Sequence, residues 1–447
     1  MCIAKRNRSI LILCWSFAWP AGAMYQKPAT RSHSLLVNLL IANALIFISS
    51  PVVAGQLVDF SAVPRTDNGA SPAGPIVRIE LEELWRAGGD NDDDFFGVIG
   101  DCLRDEAGNF YLLDRQLCEI SVYSPTGKRL RTMSGQGEGP GEVDDPNDFL
   151  FMPDGSLGIV HRAPGEIVRL DPDGTPLSSY RLSNENGEPL GHVRLRQANV
   201  SGENLVICAN KRRRSNKLSD HERFLSIFSG AGVEGLKLIN NTKQGFDFEE
   251  RSYTERYIYF VDRGGWTTDA AGRIYIAPER NQYLIQIFNP DGSPLRAITR
   301  EFTSPLRSSE EKKKVEAGLT MTFNGEQVKL DADIEQRQQT ISKLRVDSDG
   351  IIWVQHSRSK LDLDDGVFIR YDRFDLKGQF VDQVEIHCAG DSVQDQLHCL
   401  SGDYFILLRG ITSAYDAYYA EFNAPEETTA EDDGDIEPLE VVCLRRK

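Results

Sequence analysis

Six copies of one short phrase constrain this chain more than any other feature. The phrase is a glycine turn, then four or five β-formers, then a polar or turn residue. It is clearest in Asp105-Glu-Ala-Gly-Asn-Phe-Tyr-Leu-Leu-Asp114, Met152-Pro-Asp-Gly-Ser-Leu-Gly-Ile-Val-His161, Asp269-Ala-Ala-Gly-Arg-Ile-Tyr-Ile-Ala-Pro278 and Asp347-Ser-Asp-Gly-Ile-Ile-Trp-Val-Gln-His356. Weaker copies follow Gly202 and Gly402. The anchor glycines Gly108, Gly155, Gly202, Gly272, Gly350 and Gly402 are separated by 47, 47, 70, 78 and 52 residues. Such a period is the signature of a repeat architecture in which one unit cannot bury its own hydrophobic faces and must stack on its neighbours.

A second phrase follows the first inside three units. Glu119-Ile-Ser-Val-Tyr-Ser-Pro-Thr-Gly127, Glu166-Ile-Val-Arg-Leu-Asp-Pro-Asp-Gly174 and Leu284-Ile-Gln-Ile-Phe-Asn-Pro-Asp-Gly292 each end in a turn where proline presets φ and glycine takes a positive φ. Each unit then reads as four short antiparallel strands. The composition agrees: 38 glycines, 20 prolines and 9% aromatics suit turn-rich β-structure rather than a helical bundle. The expected fold is all-β, a six-bladed β-propeller of four-stranded antiparallel blades over 75–447, with 55–74 as a linker.

With these residues in view, the chain resembles the NHL-repeat-like six-bladed β-propellers. The resemblance is carried by the six glycine-anchored strands, by Gly108-Asn-Phe-Tyr-Leu-Leu-Asp114 followed by Ile120-Ser-Val-Tyr123, and by Gly135-Gln-Gly-Glu-Gly-Pro-Gly-Glu142, which is similar to the link between one blade's outer strand and the next blade's inner strand. It implies fold and not reaction, because such propellers serve as binding platforms, lactonases and lyases alike.

Residues 1–54 stand apart, with five basic residues and no acid. Read from an internal start at Met24, Lys27 and Arg31 form a basic region, Leu35 to Ile48 an apolar one, and Val52-Val53-Ala54 a small-residue cleavage site. This predicts a signal segment and an extracytoplasmic protein, periplasmic or secreted, with an uncleaved membrane anchor as the alternative. Loss of the leader takes the net charge from -17 to about -22, with 67 acids against 45 bases. That balance argues against a nucleic-acid partner, which needs a basic face.

The departures from the repeat mark decorations. The insertion at 304–343 should hold a helix opened by Ser308-Ser-Glu-Glu311 between the fourth and fifth blades. The third unit carries a basic spot, Lys211-Arg-Arg-Arg214, and 426–437 is an acidic loop. Leu439 to Leu444 and Pro75 to Leu81 both read as strands, and either could close the ring in the last blade. Cys388 and Cys399 are a disulfide candidate, each after a histidine, with unpaired packing cysteines or a zinc site as alternatives.

Repeat register identifies where chemistry could sit. Six residues after the anchors stand Asp114, His161, Cys208, Pro278, His356 and Leu408; seven before them stand Asp101, Asp148, Leu195, Gly265, Lys343 and Asp395. Their union offers a channel-mouth ring of Asp101, Asp114, Asp148, His161, His356 and Asp395. Such a ring could hold Ca²⁺ or Zn²⁺, with His161 and His356 as the metal candidates, could act as acid and base, or could simply cap backbone amides. Asp90-Asn-Asp-Asp-Asp94 has alternate carboxylates but lacks the glycine a calcium loop needs. Two functions are therefore expected: an exported, monomeric binding or scaffold module for a protein, peptide or carbohydrate ligand, or a metal-dependent lyase, lactonase or other hydrolase.

Overall fold

The structure is a computed structural model that describes residues 58–89, 94–212, 221–247, 250–262, 264–317, 319, 321–323, 326–328, 330–423 and 438–447. The leader, Asp90 to Asp93, Arg213, Arg214 and the acidic loop 426–437 lie outside the described residues.

The chain is mostly β and is built from four-stranded antiparallel sheets laid down one after another. The first sheet runs Ile99–Arg104, Phe110–Asp114, Glu119–Tyr123, Arg129–Ser134, and the second Pro146–Phe151, Leu157–His161, Glu166–Leu170, Pro176–Arg181. The third runs Val193–Ser201, Asn204–Arg212, His221–Phe228, Glu234–Asn241, and the fourth Trp266–Thr268, Ile274–Ile276, Leu284–Phe288, Pro294–Arg300. A fifth set, Ile341–Val346, Ile352–His356, Val367–Phe374 and Phe380–His387, and a last set containing Gln396–Cys399, Tyr404–Arg409 and Glu440–Arg446 are joined through the long strand Ile76–Gly88.

The turns explain why these residues pair this way. All six anchor glycines sit between the first and second strands with φ from 64° to 90°, a region that costs glycine nothing and other residues about 1 kcal/mol or more. Five of the tight turns are held by an aspartate at the first position. Asp105, Asp171, Asp269, Asp347 and Asp375 accept backbone N–H bonds from residues two or four positions on, at 2.7–3.0 Å. In three units the other carboxylate oxygen accepts from an aromatic residue three positions beyond the glycine: Tyr111 at 3.2 Å, Tyr275 at 2.8 Å and the Trp353 indole at 2.7 Å. Many of the acids that make this chain so negative are therefore turn residues with a fixed structural task.

Packing follows from alternation along the strands, because each sheet is apolar on both faces. One cluster joins the first and second sheets through Leu113, Ile120, Phe149 and Ile159, and another the second and third through Val160, Leu195 and Ile207. Further clusters join third to fourth (Cys208, Leu225, Trp266), fourth to fifth (Tyr275, Ile298, Val354) and fifth to last (Phe368, Ile386, Leu407). A final one brings the last set back to the first, with Ile406 and Cys443 against Cys102 and Phe110. Sheets packed face to face in sequence with the ends meeting are the arrangement of a β-propeller.

Closure uses both chain ends rather than one. Leu81 to Gly88 pair antiparallel with Glu440 to Arg446, while Ile76 to Glu80 pair parallel with Gln383 to His387. The stretch read as a linker contributes as well: Arg65–Asn68 adds a parallel strand outside Pro294–Arg300, and Asn68 donates to the carbonyls of Thr299 and Gly378 while accepting from the Phe380 N–H. Arg65-Thr-Asp-Asn68 is wholly polar and gave no apolar alternation by which to read a strand.

In antiparallel units of this kind the tight first-to-second and third-to-fourth turns lie on one face, and the remaining connections on the other. Among the described residues the long connections fall on that second face. A helix, Ser309–Ala317, lies between the fourth and fifth sheets, opened by a reciprocal cap in which Glu311 N–H donates to Ser308 Oγ (3.1 Å) and Ser308 N–H to Glu311 Oε2 (2.5 Å). The same insertion continues to Asp331–Asp333, which pairs with Ser252–Thr254 from the preceding connection. Buried Glu255 ties the two together, accepting from Arg307 at 2.7 and 2.9 Å and from Arg280 at 3.3 Å. A second helix, Ile411–Asn423, had no counterpart in the sequence reading; its buried Ile411 and half-buried Ala414, Tyr415 and Tyr418 pack on the first-to-last cluster.

Candidate functional site

The inner strands meet the loop-bearing face in a repeated irregularity. In four sheets the register of the first strand against the second shifts near its start, between Ile99 and Asp101, Pro146 and Asp148, Leu195 and Gln197, and Ile341 and Lys343. A bulge at this place re-aims the residue after it. The pairings make Asp101 (opposite Leu113), Asp148 (Val160), Gln197 (Cys208), Lys343 (Gln355) and Gln396 (Leu408) equivalent around the channel.

This corrects two positions of the sequence register. Counting seven residues back from the glycine holds where the first turn is long, but Ser201 pairs directly with Asn204, so the third sheet's residue is Gln197 and not Leu195. In the last sheet it is Gln396 and not Asp395. Asp395 instead caps backbone, accepting from Asp391 N–H at 2.8 Å and Gly410 N–H at 2.9 Å.

Asp101 and Asp148 do come together, as a hydrogen-bonded pair of carboxyls. Asp148 is 8% exposed and accepts from Ala198 N–H at 3.1 Å. Burial, and then the charge of Asp101, push its carboxyl well above the usual range, favouring the protonated acid. Burial also opposes ionisation of Asp101, but His398 and Lys343 outweigh it and hold that group below the ordinary value. His398 Nδ1 lies 3.3 Å from Asp101 Oδ1, and its Nε2 is 3.0 Å from the Gln396 side-chain amide. Burial depresses the imidazole pKa, with Lys343 adding to the effect and Asp101 opposing it. Two carboxyls pushed apart in this way form an acid and a base side by side.

The pair borders a cavity of about 390 Å³ in the channel. Its walls combine apolar Leu103, Leu150 and Val200 with polar Gln197, Asn199 and Thr268. Above it, a polar chain stitches the inner-strand starts: Arg115 donates to Pro146 O (3.0 Å) and Asn147 Oδ1 (2.9 Å), and Asn147 donates to Leu195 O (2.7 Å).

The remaining members of the expected ring serve elsewhere. Asp114 accepts four backbone N–H bonds, from Gly97, Val98, Gln116 and Leu117, at 2.7–3.1 Å, which is the capping role. His356 faces the fourth-to-fifth interface, 3.3 Å from Asp372 Oδ1 and against the rings of Phe302 and Tyr283. His161 is buried in the second sheet with no partner for its Nε2. Neither histidine is among the residues lining the cavity. Among the described residues no group of three or more His, Cys, Asp or Glu is arranged to hold a metal ion. Cys388 and Cys399 are both free thiols, in place of the expected disulfide. Cys388 follows the outer strand of the fifth set and Cys399 ends an inner strand of the last, so they are not arms of one hairpin.

Sequence reasoning passed over His398, seen only as half of a His-Cys phrase. Its place two residues beyond Gln396 on an inner strand puts it on the same side, a signal that alternation supplies.

No protein-family model matches the chain, and no curated protein matches it. The resemblance to NHL repeats therefore rests on the quoted residues alone. Among solved structures, it is similar to a candidate exported protein from Bacteroides fragilis, at 12% identity over 86% of this chain and 99% of that one, with a TM-score of 0.44. A member of the DUF4221 family from Bacteroides vulgatus matches at 8% identity over 83% and 98%, with a TM-score of 0.45. Virginiamycin B lyase from Staphylococcus aureus matches at 11% identity over 82% and 99%, with a TM-score of 0.37. At these identities none assigns an activity to this chain.

Proposed function

We propose that this chain is an exported six-bladed β-propeller that binds a small hydroxylated ligand, of carbohydrate type, in its central channel. The blade count is supported by the glycine register and by the succession of apolar clusters that returns from the last sheet to the first. Export is supported by the leader's basic and apolar regions.

The observation that carries the ligand reading is the cavity itself. At about 390 Å³ it falls within the range of small-molecule sites. A lining that mixes apolar side chains with amide, hydroxyl and carboxyl groups suits a ligand with both apolar surface and hydroxyl groups. The test is a screen of mono- and oligosaccharides against the mature protein by thermal shift and calorimetry. At least one should stabilise it, and Gln197→Leu should abolish the effect; no response from any sugar would overturn the reading.

A second reading, an acid–base lyase or hydrolase, is favoured by the Asp101–Asp148 pair. Asp148 would deliver a proton while Asp101 removes one, with His398 orienting Asp101. It requires that a bound sugar be consumed, followed by NMR, and that Asp101→Asn stop turnover while leaving binding within a few-fold.

A further inference from the structure

The charge of this protein is strongly negative, at -17, and its arginines are mostly matched one to one with acids. Arg181 meets Glu166 at 3.0 Å and Arg373 meets Asp382 at 2.6 Å. Between the second and third sheets, at the inner-strand starts, Arg194 departs from that habit. Leu195 N–H donates to Arg162 O at 3.0 Å, so Arg162 lies beside the segment Arg194-Leu195-Arg196. Three guanidinium-bearing residues are thus gathered at one spot, and Arg196 immediately precedes the cavity-lining Gln197.

Two acids face them. Asp145 pairs with Arg162, while Asp262 stands 3.9 Å from Arg196, the outer limit of an ion pair. The Nε of Arg162 is buried without a hydrogen-bond partner. Arg194 is exposed and has neither an ion pair nor a hydrogen bond. Partial burial and the like charges of Arg162 and Arg196 lower its proton affinity, with Asp145 opposing them. A negative group arriving there would relieve the repulsion and accept the unused planar donors.

We infer that Arg162, Arg194 and Arg196 form an oxyanion subsite at the inner-strand starts, taking a carboxylate, phosphate or sulfate group carried by the channel's ligand. This rests on the channel reading above and narrows its ligand to an acidic one. Arg196 stands one residue before Gln197, so the charged group of the ligand is held at the end of the cavity bordered by the inner-strand starts.

The probes are sodium phosphate, sulfate and acetate, titrated into the full mature protein by calorimetry and thermal shift, with sodium chloride at matched ionic strength as the baseline. Saturable binding beyond that baseline is expected for at least one of them, and the preferred anion identifies the group. Arg194→Ala removes an exposed side chain without a partner, so the fold should survive, and the anion should bind about ten-fold more weakly or worse. Arg181→Ala, remote on an outer strand, should bind as the wild type does. Equal binding by wild type and Arg194→Ala, or a response that follows ionic strength alone, overturns the subsite. A neutral sugar bound in the channel with no anion effect would refute the subsite and leave the channel reading standing. Arg194-dependent anion binding with no sugar bound would do the reverse.

Discussion

Replacing Asp148 with asparagine should stabilise the protein, and by an amount that grows with pH. The carboxyl is nearly buried, accepts only one backbone N–H outside its own strand, and is hydrogen-bonded to a second carboxyl whose charge it must share space with. Its folded-state pKa therefore lies well above the unfolded value near 4. Such an acid binds more protons folded than unfolded, so stability falls as pH rises from about 4 towards the folded pKa. The limiting slope for one proton is about 1.4 kcal/mol per pH unit. Asparagine cannot ionise, still donates to Asp101 and still accepts from Ala198. The advantage of Asp148→Asn over wild type should then be small at pH 4, rise by up to about 1.4 kcal/mol per pH unit, and level off above the folded pKa. Asp101 does not imitate this trend: its pKa is lowered, so its contribution is complete above about pH 4 and is lost only on acidification. Urea unfolding of both proteins at half-unit steps from pH 4 to 8 measures the difference directly. A difference that is flat or declining across that range would refute the shared-proton pair.

Other outcomes follow from the caps, the interfaces and the closure. Asp114→Ala strands two buried and two part-buried N–H donors and should cost at least about 2 kcal/mol in urea unfolding at pH 7, whereas a loss below about 1 kcal/mol would contradict the capping role. Asp372 accepts from Tyr283 (2.7 Å), Gln383 (2.8 Å) and Arg300, and its replacement by alanine leaves a buried guanidinium unpaired, at about 3–5 kcal/mol. Burial works against its charge, but His356 and Arg300 prevail and lower its pKa, so wild-type stability should fall as pH drops through that value, and Asp372→Ala should lack this acid limb. A chain beginning at residue 75 should fold, while one beginning at 89 loses the strand that bridges the fifth and last sets and should aggregate on size-exclusion chromatography.

How much could be read in advance depended on how local the cause was. Turn chemistry is local: a glycine needing positive φ and the aspartate that caps it stand within four residues, so the units and their strands were visible from Gly108 to Gly402. The Ser308–Glu311 cap was visible for the same reason. The helix Ile411–Asn423 was not, because it is stabilised by the first-to-last cluster and not by a strong local start signal.

For the site, counting back from the glycines picked out Asp101, Asp148 and Lys343, which the strand pairings put at equivalent inner-strand positions. It misplaced Leu195 and Asp395 because it assumed that the glycine stands at one fixed place in every first turn, whereas Ser201 pairs directly with Asn204 and Gly402 lies midway between Cys399 and Phe405. By itself the sequence determined the repeating strand, the turns and the sign of the charge, since each is written in neighbouring residues. Only the tertiary structure decided that Asp114 and Asp395 serve backbone amides, that His356 turns into an interface, and that His398 meets Asp101 across the ring. Those pairings join residues up to about 300 positions apart, and their partners are chosen by bulges and by which sheets touch.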